Sequence, residues 1–337
     1  MKLKRRHFLI AGAGTTAALV LGWGVLPNAR AKGRLGDAHK LKVNAGELAL
    51  NGWLKIDNAG RICLLTPRSE MGQGIHTALA MLVAEELNLP VDAIAVQATA
   101  LGSAQDDIYS NVAMFEGGSP FTEKELASGS FATRATLYSL AKTARNLGLV
   151  VTGGSSSTAD AWEVLRLAGA ACRETLKAAA AVRLGVQPSA VTLTATAASA
   201  AGKSVSYAEL AREGSSLAHF VPAEITLKAS KDFTLIGKPT TRVDLAAKGD
   251  GSATFGIDAR PARLLFAAVK MCPTLGGKVK KLSGLEGSAK DGVLAIETLA
   301  ARAGSTEGVA VVARTSWHAK QALDKIGIEW DAGANAT

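Results

Sequence analysis

Two glycine-rich segments, each running directly into a helix, constrain this chain more than any other feature. The first, Glu70-Met71-Gly72-Gln73-Gly74-Ile75-His76-Thr77, follows a run of strand character at 61–66. Apolar residues at helical spacing come next (Leu79, Leu82, Val83, Leu87), and Pro90 ends the pattern. The second, Gly153-Gly154-Ser155-Ser156-Ser157-Thr158, opens a long alanine-rich helix read over 159–183, with Trp162, Leu165, Leu176 and Val182 on its apolar face. A glycine loop and a helix start together expose backbone N–H groups that have no intrahelical acceptor, and such groups favour an anion.

The two loops offer different chemistry. Gly72 and Gly74 flank Gln73, so the backbone there can come close to a flat ligand. The Gln73 amide carries a donor and an acceptor, suited to the amide-like edge of a pterin. Gly154, Ser155, Ser156, Ser157 and Thr158 combine hydroxyls with helix-start N–H groups and suit a phosphate or pyrophosphate. Each segment also has a plain structural reading: an ordinary turn before a helix, and an N-cap by Ser157 or Thr158. No GxxxxGK accompanies the second loop, which excludes a nucleotide-hydrolysing P-loop.

Around these loops the chain reads as α+β. Strands are expected at 53–57 and 61–66, on either side of the turn Asn58-Ala59-Gly60, and at 93–99, 191–196 and 225–227. A broken helix is expected within 123–147 and a short one at 207–212. A linker at 237–241 leads to a separate, mostly β unit, with strands at 252–257, 264–271, 293–298, 308–313 and 327–330 and a helix at 316–325. The expected domains are therefore 32–236 and 237–331, with 332–337 beginning a further segment.

The formal charge of +9 is unevenly placed. No acidic residue precedes Asp37, while Lys2, Lys4, Arg5, Arg6 and Arg30 lie within the first 31 residues. Without that segment 33 basic residues face 29 acidic ones, so the charge does not mark a nucleic-acid binder. Lys4-Arg5-Arg6-His7-Phe8-Leu9 is a twin-arginine pattern, followed by an apolar stretch over 8–26, Pro27 and the cleavage signal Ala29-Arg30-Ala31. Residues 1–31 are expected to be a twin-arginine signal peptide that directs a folded, cofactor-loaded chain to the periplasm. Kept uncleaved, it would anchor the chain at the inner membrane. Gly12-Ala13-Gly14-Thr15-Thr16-Ala17 matches a dinucleotide fingerprint but lacks the preceding strand and the later acid, so that reading is set aside.

Cys63, Cys172 and Cys272 are isolated and read as small buried hydrophobes, because an iron–sulfur cluster or structural zinc needs about four clustered ligands. His7, His39, His76, His219 and His318 lack metal-ligand spacing, so no protein-held metal is expected. His76 reads as a capping or packing residue, Glu70 as structural, Glu85 and Glu86 as a solvated helix face, and Trp317 and Trp330 as core. Neither GxSxG nor HExxH occurs.

Several of these segments, in this order, resemble one family. The Glu70–Thr77 octet, with Val83-Ala84-Glu85-Glu86-Leu87 after it, resembles the molybdopterin-binding segment of xanthine dehydrogenase and aldehyde oxidoreductase large subunits. Gly153 to Thr158, followed by Leu165-Arg166-Leu167-Ala168-Gly169-Ala170-Ala171-Cys172-Arg173, resembles that family's second cofactor segment. Phe233-Thr234-Leu235-Ile236-Gly237-Lys238-Pro239, Arg242-Val243-Asp244, Lys248 and Phe255-Gly256-Ile257-Asp258 resemble the entry to its α/β hammerhead domain, and Val309 to Ala313 with Trp317-His318-Ala319 its end. The arrangement is most similar to the isoquinoline 1-oxidoreductase and membrane aldehyde dehydrogenase branch, over residues 45–331.

The resemblance implies molybdenum-cofactor-binding α/β layers followed by an α/β hammerhead domain. It implies molybdopterin cytosine dinucleotide as cofactor, with Gly72, Gln73 and Gly74 on the pterin side and Gly154, Ser155, Ser156, Ser157 and Thr158 on the phosphates. It implies oxidation of an aldehyde or N-heteroaromatic small molecule with water as oxygen source. The partners implied are a separate 2Fe-2S small subunit and an electron acceptor that is either a membrane cytochrome c subunit or a quinone, with no nucleic acid involved. The family's large subunits are much longer. Their catalytic glutamate and a metal-facing glutamine segment would fall beyond residue 337, so catalytic residues are not assignable here and this stretch alone is expected to be inactive. Two other readings compete: a non-catalytic cofactor-domain or assembly fragment, and an exported solute-binding protein in which the two helix starts coincide by chance.

Overall fold

The computed structural model describes residues 34–99, 106–116, 130–212, 225–284 and 292–335. The expected signal peptide at 1–31 and the 123–129 part of the expected broken helix lie outside the described residues. The architecture is α+β, in two compact units that divide after Ser252.

The first unit is built on a four-stranded sheet in the order β1 (Leu48–Ala49), β2 (Leu54–Ile56), β3 (Ile62–Thr66), β4 (Ile94–Ala98). The expected hairpin joins β2 and β3, with Asp57 accepting from the N–H groups of Ala59 and Arg61 across the turn. β3 pairs with β4 in parallel, and helix α1 (Ile75–Leu87) forms the crossover between them. Every side chain of β2 and β3 is buried, as expected of strands covered on both faces. Helix α2 spans Phe131–Asn146 and helix α3 Ser157–Leu184, three residues longer than the periodic pattern indicates. A small sheet of β5 (Thr192–Leu193), β6 (Ala197–Ala200) and β7 (Lys203–Ser206) follows, then the short helix α4 (Tyr207–Arg212). The strand expected at 191–196 is thus split into a three-stranded meander, turned at Ala201 and Gly202 in left-handed conformations. No strand forms at 225–227, because the carbonyl of Thr226 and the N–H of Lys228 bond to charged side chains instead of a ladder.

Helices α1 and α3 cross at close range. A Cβ on Gly169 would lie 2.9 Å from the Val83 carbonyl oxygen and 3.2 Å from Val83 Cα, so only glycine fits at the crossing. Leu79, Val83 and Leu87 of α1 and Leu165, Ala168, Cys172 and Leu176 of α3 share one core with Trp53, Leu54, Ile62 and Leu64. Val182, assigned to the apolar face from its spacing, is 69% exposed on the outer side of the helix, while Ala179, Ala180 and Ala181 are buried. All three cysteines are buried and free, as expected.

The sequence pattern puts Glu85 and Glu86 on a solvated helix face; the structure buries both completely. Glu85 accepts from Lys228 Nζ at 2.7 Å and from the N–H groups of Thr234, Leu235 and Ile236 at 2.7–3.1 Å. Glu86 accepts from Arg166 Nε at 2.8 Å and from Lys228 N–H, with Arg173 beside it. The segment from Thr226 to Ile236 is therefore strapped along α1 by two carboxylates. Leu235, Ile236 and Val243 also pack against the first core, which is why this unit runs past 236, the expected boundary, to Ser252.

The second unit holds an antiparallel sheet, β10 (Val293–Leu299), β11 (Gly308–Ala313), β8 (Phe266–Met271), and a separate pair, β9 (Lys278–Ser283) with β12 (Gly327–Asp331). Helix α5 (Leu245–Asp250) closes the first unit, and helix α6 (Ser316–Lys325), capped by the Thr315 hydroxyl, precedes β12 in the second. Val309, Val311, Ala322, Leu323 and Ile326 form the second core, against which Trp330 packs. Trp317, expected in the core, is 67% exposed at the start of α6. The strand expected at 252–257 is absent; Gly256–Asp258 form a single 3₁₀ turn. β9 carries three lysines in six residues and gave no apolar alternation to find.

The Glu85 anchor yields a pH-dependent prediction. Burial works to raise its carboxyl pKa, but Lys228 and the three strap N–H groups outweigh that and hold it at about 2, down from 4.5. A depressed folded-state pKa gives stability that is complete above about pH 4.5 and lost as pH falls toward 2. Glu85→Gln should therefore lower unfolding stability by about 3 kcal/mol near neutrality. In urea titrations the gap to the parent chain should narrow from pH 5 to pH 3; a constant gap would count against the anchor.

Candidate functional site

The two glycine loops lie side by side. The N–H of Ser69 donates to Thr152 Oγ1 at 2.9 Å, joining the residue before the first loop to the residue before the second. One residue further back, Arg68 Nη2 meets Asp160 Oδ2 at 2.7 Å, and Asp160 sits in the first turn of α3. Sequence reasoning missed this carboxylate, since an acid in the first turn of a helix is ordinary. Asp160 accepts from Arg34 Nη1 at 3.1 Å and Nη2 at 2.7 Å, from Arg68, and from the N–H groups of Val112 and Ala113 at 2.8 and 3.2 Å. Burial would raise its pKa, but Arg34 and Arg68 outweigh that and keep it charged. Asn111, also buried, donates to the Val151 carbonyl and to Ser156 Oγ, tying the same neighbourhood to the second loop.

The first loop is organised around an internal anion. Glu70 Oε1 accepts from the N–H groups of Gly72 and Gly74 at 2.9 Å, and Oε2 from that of His76 at 3.2 Å. Arg242 Nη2 approaches the same carboxylate at 3.1 Å, and its Nη1 donates to the Gly72 carbonyl at 2.7 Å. Partial burial works against the Glu70 charge, but the N–H groups of Gly74, His76 and Gly72 outweigh it and its pKa is held below the ordinary value. Of the N–H groups at this helix start, that of His76 is thus already bound to Glu70, as are those of Gly72 and Gly74 just before it. Gln73 is likewise engaged: its Oε1 accepts from the Met71 N–H and its Nε2 donates to the Ser69 carbonyl at 2.9 Å. Beside the exposed Met71 side chain, the loop leaves backbone uncovered at its two glycines. Gly72 and Gly74 hold φ of +98° and +81°, and a Cβ on either would meet nothing within 4 Å. His76 has the packing role expected of it, with Nε2 2.9 Å from the Arg68 carbonyl.

The second loop is organised the opposite way. Ser156 is the residue before the helix, but its side chain turns inward, donating to the Gly153 carbonyl at 2.8 Å and accepting from Asn111. It makes no cap bond, and neither Ser157 nor Thr158 takes the capping role. Among the described residues nothing accepts from the N–H groups of Ser157, Thr158 and Ala159, and the hydroxyls of Ser157 and Thr158 have no protein partner there either. Gly154 and Ser155 sit exposed beside them with φ of +61° and +52°. The two helix starts are therefore unequal: the protein's own carboxylate occupies part of one, and the other carries none.

Comparison with known proteins bears on what fills such a site. Residues 15–113 match the family model of the molybdopterin cofactor-binding domain. The chain is 27% identical to a membrane-bound aldehyde dehydrogenase [pyrroloquinoline-quinone] of Gluconacetobacter polyoxogenes, over 98% of this chain and 38% of that protein. It is also 27% identical to the beta subunit of isoquinoline 1-oxidoreductase from Brevundimonas diminuta, over 98% of this chain and 41% of the relative. A nicotinate dehydrogenase subunit of Pseudomonas putida is 28% identical over 69% of the chain and 16% of its own length. The chain is similar to molybdopterin-binding subunits of oxidoreductases, and residues 15–113 carry the matched domain. It spans about two fifths of the length of the first two relatives.

A molybdopterin fits the residues found here in part. Open space over the Gly72 and Gly74 backbone allows a flat pterin to approach. The unaccepted N–H groups of Ser157, Thr158 and Ala159, with two hydroxyls beside them, suit phosphate oxygens. Gln73 and Ser156 are committed within the protein, so they shape the loops while neighbouring backbone faces outward. Of the residues expected at the cofactor, Gly72, Gln73 and Gly74 lie on one loop, and Gly154, Ser155, Ser156, Ser157 and Thr158 on its neighbour. No group of three or more His, Cys, Asp or Glu residues suited to a metal ion occurs among the described residues.

Two substitutions test this construction. Asp160→Asn leaves Arg34 and Arg68 buried without their counter-ion and should cost about 3–5 kcal/mol in urea unfolding. Gly74→Ala meets open space but must hold φ at +81°, so it should cost only about 1–2 kcal/mol. A larger loss for Gly74→Ala than for Asp160→Asn would mean that the loop, not the buried carboxylate, holds the site.

Proposed function

We propose that this chain is the cofactor-gripping portion of a molybdenum hydroxylase large subunit, acting on an aldehyde or an N-heteroaromatic compound. The observation that carries the reading is the pairing of the two glycine loops through Ser69 and Thr152, beside a helix start whose N–H groups are open. Under this reading Gly72 and Gly74 give a pterin a bare backbone surface, and Ser157, Thr158 and Ala159 hold the phosphates of a cytosine dinucleotide form. When bound, the cofactor would supply a two-electron oxidation with oxygen taken from water. The chain's own residues bind and orient it: Glu70 and Arg242 fix the first loop, and Asp160 fixes both. Glu70, Glu85 and Glu86 each hold backbone N–H groups or cations, so none is offered here as the catalytic base.

The second unit is proposed to be the α/β hammerhead domain of that family. Electrons would leave through a separate 2Fe-2S subunit, in keeping with three dispersed, buried cysteines; a membrane cytochrome c subunit is a further proposed acceptor. The twin-arginine pattern at the start of the chain supports export to the periplasm. No helix among the described residues is long and apolar enough to cross a membrane.

Co-expression of the whole gene with its small-subunit neighbour, followed by metal analysis and acid release of the nucleotide, tests the reading. Molybdenum and cytidine monophosphate in equal amounts are expected, with dye reduction by aldehydes or N-heteroaromatics. Pyrroloquinoline quinone without molybdenum, or neither group, would overturn it.

A further inference from the structure

The arm at Arg34–Gly36, which enters the fold just after the expected processing site, is built into the support of both loops. The Arg34 side chain is buried, at 8% exposure. Its Nη2 donates to the Ser110 carbonyl at 2.9 Å and, with Nε, to that of Ile108 at 3.3–3.4 Å, while Nη1 and Nη2 hold the Asp160 carboxylate. Nη1 reaches the Asp160 carbonyl as well, at 3.0 Å. The arm's backbone is fastened too. Trp53 Nε1 donates to the Arg34 carbonyl at 2.8 Å, and the Gly52 N–H to that of Leu35 at 3.0 Å. A Cβ on Gly52 would lie 3.0 Å from the Leu35 carbonyl oxygen and 2.5 Å from Ile108 Cδ1, so glycine makes room for the arm. On the far side of Asp160, Arg68 leads into the first loop and α3 begins the second. The arm and the Ile108–Ser110 stretch thus meet at one guanidinium, which reaches the two loops through Asp160.

We propose that Arg34 is a positioning residue for the two loops, making the amino-terminal arm a working part of the cofactor site. Undocking the arm removes one of the two cations on Asp160, and takes the guanidinium donor from the Ile108 and Ser110 carbonyls. Asp160 then turns toward Arg68 alone, and the start of α3 loses its fixed position against the first loop. Helices α1 and α3 keep their crossing at Gly169, which Arg34 does not touch. The effect is therefore confined to the loops. The identity of the ligand rests on the function proposed above; the dependence of the loops on the arm does not.

Hydrogen exchange on the full-length gene product, with Arg34→Met and Arg34→Lys, provides the test. The bonded amides of Gly72, Gly74, His76, Ser156 and Asp160 should exchange about ten-fold faster in Arg34→Met, while 79–87 and 165–180 stay at the parent rate. Arg34→Lys, which keeps the charge but lacks the planar fork, should recover part of the protection. Molybdenum retained through gel filtration should fall in the same order. Should Arg34→Met not fold, Arg34→Lys alone carries the test and should give a smaller rise at the same amides. Acceleration spread evenly over the loops and both helices would mean a purely structural arginine, and unchanged loops would mean an unconnected arm; either overturns the proposal. Loop acceleration in a protein whose parent form holds no molybdenum would sustain the arm and sink the cofactor reading.

Discussion

One carboxylate, Asp160, carries a negative charge in the interior and is matched by two guanidiniums and two backbone N–H groups. An unmatched charge at such depth would cost many kcal/mol, so each donor is held in place by the penalty for leaving. The donors come from Arg34, Arg68 and the 112–113 backbone, widely separated in sequence. The glycine loops are next-door neighbours of these donors and of Asp160 itself. Their juxtaposition is a by-product of satisfying one buried charge.

A second use of the same physics appears along α1. Glu70, Glu85 and Glu86 each replace water with backbone N–H groups or cations. The segment running from Thr226 to Asp244 is thereby laid along a helix that is buried for nearly its whole length. Arg242 ends this strap on the carbonyl of Gly72, so the shape of the first loop depends on residues about 170 positions away in sequence. A helix start partly occupied by its own glutamate is rigid and electrically quiet. The neighbouring start at Ser157, with N–H groups that no described residue accepts, is the place where an outside anion gains most. The two loops divide the labour: one supplies a bare surface, the other a dipole.

Family resemblance and geometry make separate contributions. The matched domain model covers residues 15–113, which include the first loop and not the second. The adjacency of the second loop is a finding of the structure alone. The relatives extend well beyond the stretch described here, and their substrates and partner subunits enter only as proposals for this chain.

The sequence by itself determined the α+β class, the two glycine loops and most element positions, since periodicity and turn chemistry are local. Helices at 207–212 and 316–325, and the hairpin around Asn58, were legible for that reason. It located the loops but not their internal bonding: Gln73 and Ser156 bond back to neighbouring residues, and Glu70 occupies part of the first helix start. It placed Glu85 and Glu86 in solvent, because nothing local distinguishes a solvated glutamate from one that binds a distant strap. Only the tertiary structure decided that Arg34, Arg68 and Asp160 form one network, that the strap extends the first unit to Ser252, and that the loops share a border. Charge pairing and close helix crossing join residues without regard to their separation along the chain, and no pattern of neighbouring residues encodes them.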